Sequence, residues 1–173
     1  MGAAALSTRG RWRASACTPL RAGFAAAASL GVSLTHREHC QGVTFVTAHK
    51  QDHGEPNWAA LTATGMTLAI YMGMARIESL CLALLSALPA STPAAVVQWA
   101  GTSSERRWLG RLDCMATEAV KAGLQSPAVI LVGNAISEAA AAVHHDGTSA
   151  LAVDKQVVFN AWQDLTDAVQ HAA

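Results

Sequence analysis

The sequence predicts an α/β fold: a mixed, mostly parallel sheet of about five strands flanked by helices. Short apolar runs rich in Val, Ile and Leu recur along the chain, with helically spaced stretches between them. That alternation marks strand–helix–strand units. Hydrophobic residues make up 51% and charged residues 14% of the chain, which excludes disorder for most of it. A length of 173 residues fits one domain, or one half of a two-domain enzyme.

The elements follow in order. Phe24–Gly31 is Ala-rich and helical in character, and Val43–Thr47 is a β-branched strand. Residues 49–57 hold Gly54 and Pro56 in a polar loop, and Asn57 stands where it would cap a short helix, Trp58–Ala63. Thr67–Met72 reads as a buried strand ending at Gly73. Ile77, Leu80, Cys81, Leu84, Leu85 and Leu88 then form one helical face, stopped by Pro89. Pro93 leads into the strand Ala94–Trp99. Arg106–Leu112 mixes charge with apolar residues, which suits an edge or antiparallel strand. Asp113 is placed to cap a helix that runs to Lys121 and closes on Gly123. Ala128–Val132 is continuously apolar, as a central strand should be. Residues 137–173 form an Ala-rich extension with a polar joint at His144–Ser149 and a helix near Gln156–Gln170.

Charge and cysteines narrow the function classes. Lys plus Arg equals Asp plus Glu at 12 each, so no basic footprint for nucleic acid or an anionic membrane exists. No apolar run reaches the roughly 18 residues of a spanning helix. Cys17, Cys40, Cys81 and Cys114 are irregularly spaced without a C-x-x-C pair, which reads as reduced thiols in a cytoplasmic protein. Arg9, Arg11, Arg13 and Arg21 precede the apolar Phe24–Leu34 and imitate a secretory signal. The Thr35-His36-Arg37-Glu38-His39 that follows offers no small-residue cleavage site, so residues 1–20 read as a basic, disordered leader.

In open α/β sheets ligands lie beyond the carboxyl ends of the strands. Met72-Gly73, Ala100-Gly101 and Gly133-Asn134 are therefore the places to look, since small residues let a ligand approach the backbone. Neither His36/His39/Cys40, nor His49/Asp52/His53, nor His144/His145/Asp146 has the paired spacing of a zinc site, and no metal is expected.

An ordered series of motifs carries a resemblance. It comprises Leu34-Thr35-His36-Arg37-Glu38, Val43-Thr44-Phe45-Val46-Thr47-Ala48-His49, Asn57-Trp58-Ala59-Ala60-Leu61 and Tyr71-Met72-Gly73. Pro93–Ala100, Glu105-Arg106 and Ser126–Gly133 complete it. Residues 21–136 resemble the C-terminal domain of a tetrapyrrole methylase, in particular the C-terminal half of the uroporphyrinogen-III C-methyltransferases and of the methylase module of sirohaem synthase.

The resemblance implies transfer of methyl groups from S-adenosylmethionine to two ring carbons of uroporphyrinogen III, giving precorrin-2 for sirohaem and cobalamin. It implies two α/β domains with the cofactor between them, in a homodimer. Cofactor contacts carry over to Met72, to Ala100 and to Ala22, where Arg21-Ala22 stands in place of the family's Thr-Ala pair. Thr35, His36 and Arg37 carry over to the substrate side. The substrate's carboxylates make Arg37, Arg106 and Arg76 further anion partners.

The family's Gly-rich first loop, its Gly-Gly-Asp-Pro motif and its acid/base residues belong to its N-terminal half and match nothing in this sequence. No catalytic residue is therefore assigned. The expected partners are the tetrapyrrole and either a second copy or an N-terminal methylase half. Two alternatives stand beside this reading: a truncated, non-catalytic remnant or dimerisation module, and a methylase acting on another precorrin.

Overall fold

A computed structural model describes residues 18–48 and 54–139. The leader up to residue 17, the His49/Asp52/His53 and His144/His145/Asp146 groups, and the helix expected near Gln156–Gln170 lie outside the described residues.

The chain runs α1 (Thr18–Leu30), β1 (Val43–Thr47), α2 (Trp58–Ala63), β2 (Thr67–Tyr71), α3 (Ile77–Leu85), β3 (Pro93–Gln98), β4 (Arg106–Arg111), α4 (Leu112–Lys121) and β5 (Ala128–Val132). Short 3₁₀ turns follow β2 at Met74–Arg76 and β5 at Asn134–Ile136. The first helix begins earlier than its Ala-rich stretch suggests and takes in residues 18–20, because Pro19 is tolerated in a first turn where its absent N–H is not needed. It ends on Gly31 at φ 69°, where the Gly31 and Val32 N–H groups donate back to the carbonyls of Ala28 and Ala27 at 3.1 Å.

The strands form one five-stranded sheet in the order β1-β2-β5-β3-β4. The sheet is mixed, as expected, but it is not mostly parallel. Only β1 and β2 pair parallel, whereas β2·β5, β3·β5 and β3·β4 are antiparallel. The cause is the tight loop from Trp99 to Glu105, which turns β4 back along β3. Helix α4 then crosses over and delivers β5 in β4's direction, between β3 and β2. The carboxyl ends of β1, β2 and β3 thus share one pole of the sheet, with the amino ends of β4 and β5. Gly133-Asn134, which follows β5, lies at the other pole, apart from the other two strand ends singled out in the sequence.

Both faces of the central strands are buried. Leu68, Ile70, Val96, Ile130 and Val132 face a cluster completed by Trp58 of α2 and by buried residues of α3 and α4. Ala69, Ala95, Val97, Val129 and Leu131 face Ala26 and Ala27 of α1 with Leu34 and Ile136. Each large aliphatic side chain so enclosed contributes on the order of 1.5–3 kcal/mol.

Helix α3 buries Ile77, Leu80, Cys81 and Leu84, the face its spacing predicts. Helix α4 starts differently: Arg111 is its N-cap residue and Asp113 lies inside the first turn. No side chain caps it, because the Leu112 and Asp113 N–H groups donate to the carbonyls of Thr92 (2.8 Å) and Ala90 (3.2 Å). Its other end is the expected one, with Gly123 at φ 68° and the Leu124 N–H on the Ala119 carbonyl at 3.0 Å. Among the described residues no helix is long and apolar enough to cross a membrane.

Candidate functional site

Among the described residues, the carboxyl pole carries the non-glycine residues of left-handed backbone. Met72 (φ 56°) and Trp99 (φ 50°) are the two described residues other than glycine with positive φ, and each follows the last residue of its strand, β2 or β3. That conformation costs an L side chain about 1–2 kcal/mol. Such strain persists where the surroundings fix it and collects at functional positions. Both side chains are left in solvent, Met72 at 62% exposure and Trp99 at 43%. Met72 is therefore no core-packing residue.

Small residues stand beside both. A Cβ on Gly73 would come within 2.8 Å of Ile130 and Leu80, so glycine is there for space. Gly101 sits at φ 76°, where a Cβ would approach the Ala25 Cβ to 3.2 Å. Helix α1 accordingly passes close to the end of β3. Ala22 and Ala100 are both half-buried and pack on the same cluster under α1. The structure thus brings Ala22, Met72 and Ala100 to one end of the sheet.

Two buried side-chain polar atoms lack a partner among the described residues, the Tyr71 hydroxyl and the Gln98 Oε1. They belong to the last residues of β2 and β3, directly before Met72 and Trp99. Burial pushes the Tyr71 phenol above its ordinary value, countered in part by the Gly23 backbone. The residue pattern alone assigns no role to Trp99, Tyr71 or Gln98. A bulky aromatic set between Gln98 and the small pair Ala100-Gly101 was the signal available for the first of them.

Thr35, His36 and Arg37 lie elsewhere. They belong to a tight turn ahead of β1, closed by the bridge between His36 and Cys40, with N–H to carbonyl distances of 3.1 and 2.8 Å. Thr35 and Arg37 are exposed and His36 is half-buried. The turn is fastened to the amino end of β2, where the Cys40 Sγ lies 3.2 Å from the Thr67 Oγ1. A five-residue strand, about 16 Å, separates it from Met72 and Ala100. The His36 and His39 rings stack at 4.7 Å, and His39 Nε2 meets Glu138 Oε1 at 3.0 Å. Burial raises the Cys40 thiol, but hydrogen bonds from Thr67 and nearby backbone outweigh it and leave the thiol below its ordinary value.

The arginines divide. Arg106 donates to the carbonyls of Gly123 and Ala122 at the end of α4, so it caps that helix and is no free anion partner. Arg76 and Arg37 are exposed and form no ion pair among the described residues.

The profile of the tetrapyrrole (corrin/porphyrin) methylases matches residues 21–116. The chain belongs to this family. The siroheme synthase of Chromobacterium violaceum is 43% identical over 113 residues, which is 64% of this chain and 24% of that protein. The uroporphyrinogen-III C-methyltransferase of Pseudomonas fluorescens is 40% identical over 116 residues, 66% of this chain and 47% of that one.

Among solved structures, a uroporphyrin-III C-methyltransferase from Thermus thermophilus complexed with S-adenosylhomocysteine aligns with a TM-score of 0.56 at 27% identity. It covers 64% of this chain and 48% of that chain. A cobalt precorrin-4 methyltransferase aligns at 0.62 and 22% identity over 66% of this chain and 49% of that one, a likeness of fold. The chain therefore spans about a quarter to a half of the length of these relatives.

Proposed function

We propose that this domain supplies one wall of an S-adenosylmethionine site and, with a second methylase domain facing it, takes part in the C-methylation of uroporphyrinogen III. The observation that carries the reading is the pair Met72 and Trp99, both strained and both exposed at the carboxyl pole. The relationship to uroporphyrinogen-III C-methyltransferases and a neighbour complexed with S-adenosylhomocysteine support it.

The residues at this pole fit such a cofactor. A thioether, an indole and the small residues Ala100, Gly101 and Ala22 offer a flat apolar surface with accessible backbone, which suits an adenosine. The Tyr71 hydroxyl and Gln98 Oε1, without a well-formed hydrogen bond among the described residues, leave polar capacity at the same end. When bound, S-adenosylmethionine supplies an electrophilic sulfonium methyl. The task of this wall is to hold the nucleoside end still and to exclude water from the transfer line. Its strained loops make that hold preorganised, so little ordering remains to be done on binding.

Arg37 and Arg76, with Thr35 and His36, are the residues this reading assigns to the substrate's carboxylates. The turn that holds three of them is distant from Met72, so they act on the periphery of a broad macrocycle and not at the reacting carbon. The acid/base groups come from the facing domain, and a homodimer or a separate methylase half is the partner proposed.

The test is transfer of radiolabelled methyl from S-adenosylmethionine to uroporphyrinogen III, with the N-terminal half of a uroporphyrinogen-III C-methyltransferase added to the chain. Label in the tetrapyrrole that depends on both proteins and is lost in Met72→Lys supports the reading. A folded mixture that transfers nothing contradicts it and favours a non-catalytic role.

A further inference from the structure

The β3–β4 loop is closed by a side chain that the cofactor reading does not use. Glu105 Oε2 accepts from the Gly101 N–H at 2.7 Å. Its own N–H donates to the Thr102 carbonyl at 3.3 Å, and its side chain is only 17% exposed. A carboxylate on a backbone N–H makes one of the stronger hydrogen bonds a loop offers. The other carboxylate oxygen lies 4.0 Å from Arg107 Nε, and the Arg107 guanidinium also donates to the Ser29 carbonyl near the end of α1. Glu105 therefore stands between Gly101 and an arginine anchored on the helix that Gly101 approaches.

The rest of the loop is fixed around it. The Trp99 N–H donates to the Pro127 carbonyl at 3.1 Å, and the Trp99 carbonyl accepts from the Thr102 N–H at 3.1 Å and its hydroxyl at 2.8 Å. Within this frame Ala100 is carried between Trp99, pinned at φ 50°, and Gly101, pinned by Glu105. Releasing Gly101 frees one side of Ala100 and lets Trp99 relax from a conformation that favours glycine.

We infer that Glu105 is a positioning residue for the cofactor: its carboxylate holds Gly101, and through it Ala100 and Trp99, in the shape that meets the nucleoside. The inference rests on the reading of this pole as a cofactor wall. If Glu105 merely closes a surface turn, its loss lowers stability a little and leaves ligand affinity alone.

The experiment titrates S-adenosylhomocysteine calorimetrically into the full chain and into Glu105→Ala, Glu105→Gln and Met72→Lys, with thermal melts of each. Hydrogen exchange of the Gly101 amide is followed in parallel. Glutamine keeps a carbonyl oxygen for the Gly101 N–H, so Glu105→Gln should bind within about threefold of the wild type. Glu105→Ala should bind about tenfold more weakly, the scale expected for losing one charge-assisted hydrogen bond. Its melt should stay cooperative, and the Gly101 amide should exchange fast in Ala and slowly in Gln.

Wild-type affinity in Glu105→Ala, with binding abolished in Met72→Lys, overturns the positioning role and leaves the cofactor reading standing. Equal losses in Gln and Ala overturn it as well, because the acceptor would then not be what matters. No binding by the folded wild type overturns the cofactor reading and this inference with it.

Discussion

The two poles of the sheet are built to opposite standards. At the amino pole, as at the other, backbone donors are answered from within the fold. The Thr67 N–H meets the Gly42 carbonyl, Gly133 meets Pro93, and Leu112 meets Thr92. Glycine stands where only glycine fits: Gly133 is at φ 144°, with a Cβ position 3.2 Å from the Thr67 Cα. At the carboxyl pole Met72 and Trp99 occupy the left-handed region and expose their side chains. The buried Tyr71 hydroxyl and Gln98 Oε1 there have no partner among the described residues. A fold free to choose would place glycine at positions 72 and 99. Large side chains retained there at a conformational cost are what the proposed cofactor wall calls for.

Three substitutions break or sharpen the contrast, measured by urea unfolding. Gly133→Ala at the satisfied pole should cost most, about 2–3 kcal/mol, since it adds strain and a backbone clash together. A loss below the error of the measurement would show that the amino pole tolerates what it is argued to forbid. Met72→Gly at the open pole should leave stability unchanged or raise it by up to about 1 kcal/mol, because relief of the left-handed strain offsets glycine's extra chain entropy. Destabilisation on the scale of a core truncation would mean that Met72 packs and does not present. Tyr71→Phe should be the smallest, within about 0.5 kcal/mol of neutral, because the hydroxyl it removes has only the Gly23 backbone beside it and no well-formed hydrogen bond among the described residues. A clear loss would show that the hydroxyl is satisfied and would weaken the contrast.

Much of this arrangement was legible in the residues. The apolar runs at β1, β2, β3 and β5, the edge character of β4 and the face of α3 all follow from side-chain pattern, which burial enforces directly. Strand direction was not legible. The run Ala128–Val132 is apolar on both faces whichever way it points, so nothing in it reveals that the β3–β4 loop has reversed it. Gly133-Asn134 was for that reason grouped with the wrong strand ends.

The cap of α4 was hidden for a related cause: its donors are met by carbonyls of the loop before β3, a tertiary fact that Asp113 does not signal. Residues 21–116 match the tetrapyrrole methylase family, and the Tyr71-Met72-Gly73 motif had pointed to one strand end. The strain at Trp99 and the Glu105 carboxylate behind it emerge only in the fold, since a positive φ in a bulky residue has no composition signature.

The most direct test of the carboxyl pole as the cofactor wall is hydrogen exchange of the full chain with and without S-adenosylhomocysteine, read peptide by peptide. Slowed exchange is expected at residues 71–74 and 98–102, with residues 34–42 and 132–136 unchanged. Slowed exchange confined to the amino pole, or none at either pole in a folded chain at saturating ligand, would contradict it.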